Sequence, residues 1–394
     1  MKRALALGVA IVILLATREA GADPLRLRAD ALASTASPAG VLVLESDSAL
    51  RSDLSAEALV WMAHARTPGE DTTGDVLVIA IRARALEGRA NLRLGRFVST
   101  LGALRPAHVD GAATRFVLPR GFEAELVGGI PVMPGISTGR GWDWMVGARV
   151  ARRLGDYGSL GVAYGQRRDR ALLASEELGA DAGIVITKRH DAGARVAYDV
   201  ANPGLAEVAL TTSYRRRDLR AELYGVHRAA SHLLPATSLF SVIGDVPSRR
   251  GGAVVTWRAA PRLDLIGDAG ARIIDDDVGP ELTARALLRL DDRGKSALVG
   301  ELRRSGVGDD GWTGIRGVAR IALPRSLAAS TELELVIPDH DRGTGAAWPW
   351  ALAALTYDDG AWIAAVAVEA SASPEYTSRL DVLGQLGRRW GSTK

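Results

Sequence analysis

Strict alternation of apolar and polar residues between positions 281 and 290 restricts the fold of this chain more than any other feature. The apolar positions are Leu282, Ala284, Ala286, Leu288 and Leu290, and the polar ones are Glu281, Thr283, Arg285 and Arg289. Successive side chains of an extended strand point to opposite faces, so this pattern indicates a ribbon with one apolar and one charged face. The spacing of three and four residues that marks an amphipathic helix is weak after the first 22 residues.

The same alternation recurs along the chain, for example in residues 25–33, 219–223, 262–273, 315–321 and 332–337. Tight turn signals return about every 33 residues, a length that two strands, one tight turn and one longer loop would use. Longer segments rich in Gly, Pro, Asp and Ser lie between them, at residues 66–74, 99–110, 131–141, 168–180, 229–249, 306–311 and 338–347. The pattern therefore predicts hairpins with short turns at one end and longer loops at the other.

These hairpins predict an all-β fold, a closed antiparallel transmembrane β-barrel with about 18–22 strands, always an even number. Short turns would be periplasmic and longer loops extracellular. No linker or change of composition divides residues 23–394, so one barrel domain accounts for all of them. The alternative is a soluble sandwich, in which the apolar faces would meet a second sheet and the charged faces water.

Aromatic residues favour the membrane barrel, because amphipathic rings collect where strands cross the two bilayer interfaces. Rings beside short turns or the chain end are Tyr157, Tyr214, Trp257, Tyr357, Trp362 and Trp390, and rings beside long loops are Trp142, Trp144, Trp312, Trp348 and Trp350. We interpret them as two aromatic girdles. The alternative is that large rings cap the strand ends of any sheet.

The N-terminus has the form of a secretory signal peptide covering residues 1–22. Lys2 and Arg3 precede an apolar run of 13 residues, and Ala20-Gly21-Ala22 offers a cleavage site. That run is shorter than the roughly 20 residues that span a bilayer as a helix. Cleavage would lower the formal net charge from +3 to +1, with both signs mixed along the chain, which argues against a nucleic-acid partner.

Chemical motifs are weak in this sequence. Residues 135–139 fit the G-x-S-x-G pattern around Ser137, but the segment after them predicts a strand, whereas a hydrolase elbow needs a helix there. The six histidines are dispersed, and Asp275-Asp276-Asp277 suits a solvated turn better than a cation site. The chain has no cysteine and no nucleotide-binding fingerprint. We therefore expect no enzymatic activity, no metal site and no cofactor.

The hairpin repeat, the aromatic rows and a final alternating strand from Leu380 to Trp390 resemble a bacterial outer-membrane porin. Residues 92–97 and 109–112 are similar to the Gly-Arg strand and the Asp-Gly loop exit of porin-like barrels, whereas the four residues after Trp390 depart from the usual aromatic end. The resemblance implies a Gram-negative outer-membrane location, surrounding lipid, passive diffusion of small hydrophilic solutes and a possible homo-oligomer. A structural or surface-interaction barrel without a conducting pore is the alternative.

The charged faces supply the candidate pore-lining residues. They are Arg93, Arg220, Glu222, Arg262, Asp264, Asp268, Arg272, Glu281, Arg285, Arg289, Glu301, Arg303, Arg316, Arg320, Glu332 and Glu334. Such charges set the potential inside a pore, but Arg and Glu on adjacent strands can also pair for solvation and register alone. Since alternation begins at Leu25, we expect no N-terminal plug, and a wide lumen would be narrowed by infolding of residues 229–249.

Overall fold

A computed structural model describes residues 26–35, 39–65, 73–132, 143–229, 247–274, 276–308, 311–341 and 345–390. These residues form strands joined by turns and loops, with two short 3₁₀ segments, Leu86–Gly88 and Pro119–Gly121. The described part of the chain contains no helix that is long and apolar enough to cross a bilayer. The predicted signal peptide, residues 1–22, lies outside the described residues.

The sheet contains 22 strands in chain order. They are β1 (Arg26–Ser34), β2 (Ala39–Arg51), β3 (Leu54–Ala65), β4 (Thr73–Ala85), β5 (Ala90–Ser99), β6 (Ala107–Val117), β7 (Phe122–Pro131), β8 (Trp144–Arg153), β9 (Gly158–Asp169), β10 (Leu172–Thr187), β11 (His190–Asp199), β12 (Gly204–Arg216), β13 (Leu219–Arg228), β14 (Ser248–Ala260), β15 (Leu263–Ile274), β16 (Asp277–Arg289), β17 (Ala297–Ser305), β18 (Trp312–Leu323), β19 (Leu327–Pro338), β20 (Trp348–Asp358), β21 (Trp362–Ser373) and β22 (Tyr376–Trp390).

Pairing between the first and last strands closes the sheet. Each strand lies antiparallel to its neighbours in the chain, and β1 pairs with β22 from Leu27 opposite Trp390 to Ser34 opposite Leu383. A closed sheet leaves no unpaired strand edge. The predicted closed antiparallel barrel with an even number of strands is confirmed, at the upper end of the expected range.

The two rims of the barrel differ in the length of their connections. We call the rim where β1 begins and β22 ends the terminal rim, and the other the loop rim. No connection at the terminal rim exceeds the seven residues of 290–296, whereas the loop rim carries residues 132–143 and 229–247. This asymmetry agrees with the predicted alternation of short turns and long loops.

One predicted loop is wrong. Residues 168–180 form most of a hairpin, because β9 and β10 extend until only Arg170 and Ala171 separate them. Both turn residues have positive φ, 51° and 66°, as a tight hairpin turn requires. The polar residues of this segment, including Glu176 and Glu177, lie on strand β10 rather than in a loop.

The two faces of the sheet differ in polarity and in crowding. On one face Glu177, Glu207 and Glu301 are almost completely buried, at 5%, 4% and 6% exposure, while the other face exposes Val162 and Leu223 by 61% and 59%. Side chains converge on the concave side of a closed sheet and diverge on its convex side. The charged, crowded face is therefore the inner face, and the apolar face is the outer one.

Candidate pore lumen

Ion pairs within and between strands cover the inner face from β16 to β19. Glu301 on β17 accepts hydrogen bonds from Arg285 on β16, and its side chain is only 2% exposed. Arg303 lies 3.1 Å from Glu301 and also pairs with Glu334 on β19. Arg316 on β18 pairs with Glu332. These contacts form a lattice in which guanidinium groups neutralise carboxylates of the same strand, of an adjacent strand or, for Arg303 and Glu334, of the next strand but one.

All but one of the predicted pore-lining residues take part in such pairs. Arg93 pairs with Glu57, Arg220 with Glu222, Arg289 with Asp264, and Arg272 with Glu281, while Arg250 approaches both Asp268 and Glu281. Arg320 has no ion pair with any described residue. Arg262 lies in the turn 261–262 at the terminal rim, where it donates to Asp292 over 2.6 Å. Most charges of the wall are therefore paired with one another.

A short apolar segment folds back from the loop rim into the lumen. We call residues 100–106, between β5 and β6, the inner segment. Leu101, Ala103 and Leu104 are exposed by only 6%, 4% and 8%, which is unusual for a connection between strands. The two leucines join Phe97 and Val127 in a buried cluster on the inner face. The inner segment thus lies against the barrel wall and occupies part of the lumen.

Glycines on three strands make room for this segment. A Cβ built on Gly147 of β8 would lie 2.5 Å from Leu101 Cδ1, and one on Gly165 of β9 would lie 3.0 Å from Leu104 Cδ1. Gly179 of β10 leaves the same 3.0 Å to Leu104 Cδ2. Real Cβ atoms do not tolerate the first distance and rarely tolerate the other two. The leucines therefore occupy volume that side chains would otherwise fill.

Charged groups anchor the inner segment beside these glycines. Arg105 places its Nε 2.5 Å from Glu177 Oε1, and its backbone N–H donates to Glu177 Oε2 over 3.3 Å. Next to Gly102, Arg149 donates to Asp181 over 2.7 Å and to Glu125 over 2.7 Å. Such charge-assisted contacts fix the segment more firmly than apolar contact alone.

The base of the inner segment is the sequence that carries the porin resemblance. Strands β5 and β6 place Gly95 opposite Gly111 and Arg96 opposite Asp110. Gly95 has φ +125°, and a Cβ on it would lie 2.1 Å from the carbonyl oxygen of Ile79, so no other residue fits. The Gly-Arg and Asp-Gly pairs, separated in sequence, therefore meet where the chain leaves the wall.

The infolding predicted for residues 229–249 lies largely outside the described residues. Sequence reasoning missed the inner segment, although residues 99–110 were identified as a long loop. The signal was Leu101-Gly102-Ala103-Leu104, an apolar run between Ser99 and Arg105 in a connection that would otherwise face water.

The aromatic residues divide between the two faces. At the terminal rim Tyr214, Trp257, Tyr357, Trp362 and Trp390 alternate with inner-face positions and so lie on the outer face, and Tyr157 lies in the turn before β9. At the loop rim Trp144 is on the outer face, opposite Arg168. Trp142 lies outside the described residues.

Three of the predicted girdle residues face the lumen instead. Trp350 lies directly opposite Glu334, and Trp348, two residues before it, shares its face. The ring of Trp312 stacks 5.4 Å from the guanidinium carbon of Arg303. Most outer-face members of the predicted girdles therefore lie at the terminal rim.

No metal-binding cluster is present in the part of the chain that the structure describes. No group of three or more His, Asp or Glu residues there could hold a metal ion. Ser137 and Asp275 lie outside the described residues, so the structure does not test the hydrolase motif or the acidic turn.

Comparison with known proteins places the fold among bacterial outer-membrane barrels. No protein-family model and no curated protein matches the sequence. The siderophore receptor PirA from Pseudomonas aeruginosa superposes with a TM-score of 0.63 at 10% identity, over 94% of this chain and 81% of that one. The ferric enterobactin receptor PfeA of the same organism gives 0.61 at 9% identity, over 95% and 82%. The translocation pore of the P pilus usher PapC gives 0.51 at 10% identity, over 94% and 99%. At these identities the likeness concerns the fold alone, and in that fold this chain is similar to outer-membrane β-barrels.

Proposed function

We propose that this protein is an outer-membrane channel through which small hydrophilic solutes diffuse passively. The observation that carries this proposal is the polarity of the closed sheet, with ion pairs on the inner face and Leu, Val and Ile on the outer face. Such a barrel is suited to hydrocarbon outside and water inside. Barrels of this fold among the structural neighbours support the outer-membrane location.

The inner segment gives the channel its shape in this proposal. A barrel of 22 strands encloses a wide lumen. Outer-membrane transporters with this number of strands fill it with a plug. Residues 100–106 narrow one side of that lumen, and the ion-pair lattice makes the remaining wall polar and nearly neutral. A narrowed aqueous passage would admit small solutes and exclude large ones.

Insertion of the purified protein into planar bilayers tests the proposal. Discrete and reproducible conductance steps are the expected result. The same preparation should migrate differently before and after boiling in SDS, because closed barrels resist SDS until they are heated. Ser137→Ala should leave the conductance steps unchanged, since diffusion involves no catalytic residue.

A structural or surface-interaction barrel without a conducting pore is the second candidate. The paired lattice and the inner segment favour this candidate, because both fill part of the lumen and neither needs a solute to explain it. Heat-modifiable protein that inserts into bilayers but gives no conductance steps would support this candidate. Electrophoresis of the unboiled protein also reports any homo-oligomer, and N-terminal sequencing of the mature protein tests cleavage after Ala22.

A further inference from the structure

A basic pocket lies at the terminal rim, where the turn between β12 and β13 meets the end of β14. The pocket has a volume of about 310 Å³ and is lined by five arginines, Arg215, Arg216, Arg217, Arg220 and Arg258. Only two carboxylates, those of Asp218 and Asp264, share the lining. This volume is at the lower end of the range of small-molecule sites, roughly 300–1,000 Å³.

Strand register places most of this pocket on the inner face, whereas Arg216 is in step with outer-face Tyr214 and lines the pocket from the rim. Arg215 lies opposite Arg220, Arg220 lies opposite Thr256, and Arg258 lies opposite Asp264. Asp264 belongs to the wall lattice through its contact with Arg289. The pocket therefore opens into the mouth of the lumen, and a solute leaving or entering at the terminal rim passes it.

The arginines here are less neutralised than those of the wall. Arg216 and Arg217 have no carboxylate partner among the residues the structure describes. Arg215, Arg220 and Arg258 pair with Asp191, Glu222 and Asp264, but their side chains remain 60%, 55% and 56% exposed. Arg149 in the wall, by contrast, is 15% exposed and contacts two carboxylates. Exposed pairs are weak, so these guanidinium groups retain donors for another anion.

We propose that this pocket binds a soluble anion that carries a phosphate or carboxylate group, and that it gives the channel a preference for such solutes. The second part of this inference rests on the proposed channel function. Guanidinium groups donate two parallel hydrogen bonds to a phosphate or carboxylate, and Thr256 adds a hydroxyl donor. Because most wall charges are paired, these exposed arginines place positive charge at one side of the mouth, and such charge favours anions over cations.

Equilibrium dialysis of the detergent-solubilised full-length protein against labelled inorganic phosphate tests the binding site without requiring conductance. Saturable binding is expected, weakened about tenfold or more in the double variant Arg216→Gln/Arg217→Gln. These two arginines are chosen because no described carboxylate loses a partner when they change. Arg325→Gln, in the turn 324–326 at the same rim but away from the pocket, is the matched control and should bind as the unmodified protein does. Absence of saturable binding, or equal binding by the double variant, would overturn the proposal.

Reversal potentials in a potassium chloride gradient separate this inference from the channel proposal. Preference for chloride that falls in the double variant, with block of the chloride current by millimolar phosphate, would support both. Conductance without anion preference would contradict the inferred selectivity but not the proposed channel function. Phosphate binding without any conductance would contradict the proposed channel function but not the proposed binding site. If anionic lipid vesicles bind to the pocket and soluble phosphate does not, the pocket binds a lipid headgroup, and the proposed soluble ligand is wrong.

Discussion

Arg96 and Asp110 form a bidentate ion pair between directly opposite positions of β5 and β6, with distances of 2.6 Å from Nε to Oδ1 and 2.9 Å from Nη2 to Oδ2. Arg96 also contacts Asp75 over 3.1 Å and the carbonyl oxygen of Val76 over 2.9 Å. One guanidinium group thus joins three strands at the point where the inner segment leaves the wall. Backbone pairing between β4 and β5 ends at Arg96, and its guanidinium group extends the contact to Asp75 and Val76 of β4.

The first prediction concerns this ion pair. Arg96→Gln should lower the free energy of unfolding by about 1–3 kcal/mol and speed proteolysis within residues 99–107, because the base of the inner segment loses its charge-assisted bonds. Arg304→Gln is the control, since Arg304 makes a similar contact to Asp339 but both side chains are 33% exposed. Exposed pairs contribute about 1 kcal/mol or less. Equal losses in the two variants, measured by urea unfolding, would contradict the role given to Arg96.

The second prediction concerns the space that receives the inner segment. Gly179→Val should displace Leu104 and release residues 100–106 from the wall, which would raise the single-channel conductance and expose the segment to protease. Gly183→Val on the same strand and face is the control, because only Ser159 Oγ lies within 4 Å of a Cβ there, at 3.9 Å. If both variants conduct alike, the inner segment does not narrow the passage.

The third prediction concerns the centre of the lattice. Glu301→Gln leaves Arg285 and Arg303 without their shared carboxylate, so we expect a loss of about 1–3 kcal/mol in unfolding free energy. Arg303 keeps its contact with Glu334, which limits the loss. Glu222→Gln serves as the control because Arg220, its ion-pair partner among the described residues, is exposed. In urea titrations, Glu301→Gln should lower the free energy of unfolding more than Glu222→Gln does. An unchanged free energy of unfolding in Glu301→Gln would show that the lattice does not stabilise the barrel.

The fourth prediction is a dependence on pH at the terminal rim. Backbone N–H groups of Lys295 and Ser296 donate to Asp291 and lower the pKa of its carboxyl group, with the Lys295 bond contributing most. A pKa lowered by folding adds stability that is complete above the unfolded pKa and disappears as the pH falls through the folded value. Asp291→Asn should therefore be less stable than the unmodified protein at neutral pH, and the difference in unfolding free energy should shrink as acidification protonates Asp291. A difference that does not change on acidification would contradict the assignment.

The fifth prediction separates the two faces of the sheet. Trp257 lies on the outer face and is 49% exposed, whereas Trp350 lies opposite Glu334 on the inner face. In variants that retain a single tryptophan, brominated lipid should quench the fluorescence of Trp257, and aqueous iodide should quench that of Trp350 more strongly. The reverse pattern would show that the apolar face does not contact lipid.

Period-two patterning made the fold predictable because each strand needs only its chain neighbours for pairing. A residue's parity along the strand decides its face, so Arg285 and Glu301 could be placed from sequence alone. The same parity would have placed Trp312, which is in step with Arg316. Parity is less informative for Trp350, because β20 is largely apolar on both faces and its one charged residue, Asp358, is the last residue of the strand.

Other features depend on residues that are distant in sequence. The inner segment lies where it does because Gly147, Gly165 and Gly179 leave volume that Leu101 and Leu104 fill, and glycines in a strand pattern do not indicate what will occupy the space. The basic pocket likewise combines Arg215 and Arg217 with Arg258, about 40 residues later. Of its arginines, only Arg220 was among the predicted pore-lining residues. Long-range juxtaposition of this kind is set by closure of the sheet, not by local pattern.

Hairpin-only connectivity, with β1 sealed to β22, has an evolutionary consequence. Every strand pairs with its predecessor and successor, so duplication or deletion of one hairpin would alter the circumference without reversing either end of the chain. Related proteins can therefore differ by two strands and still join their first and last strands in the same way. The circumference of such a barrel can therefore change during evolution. The unit that is gained or lost is a pair of strands.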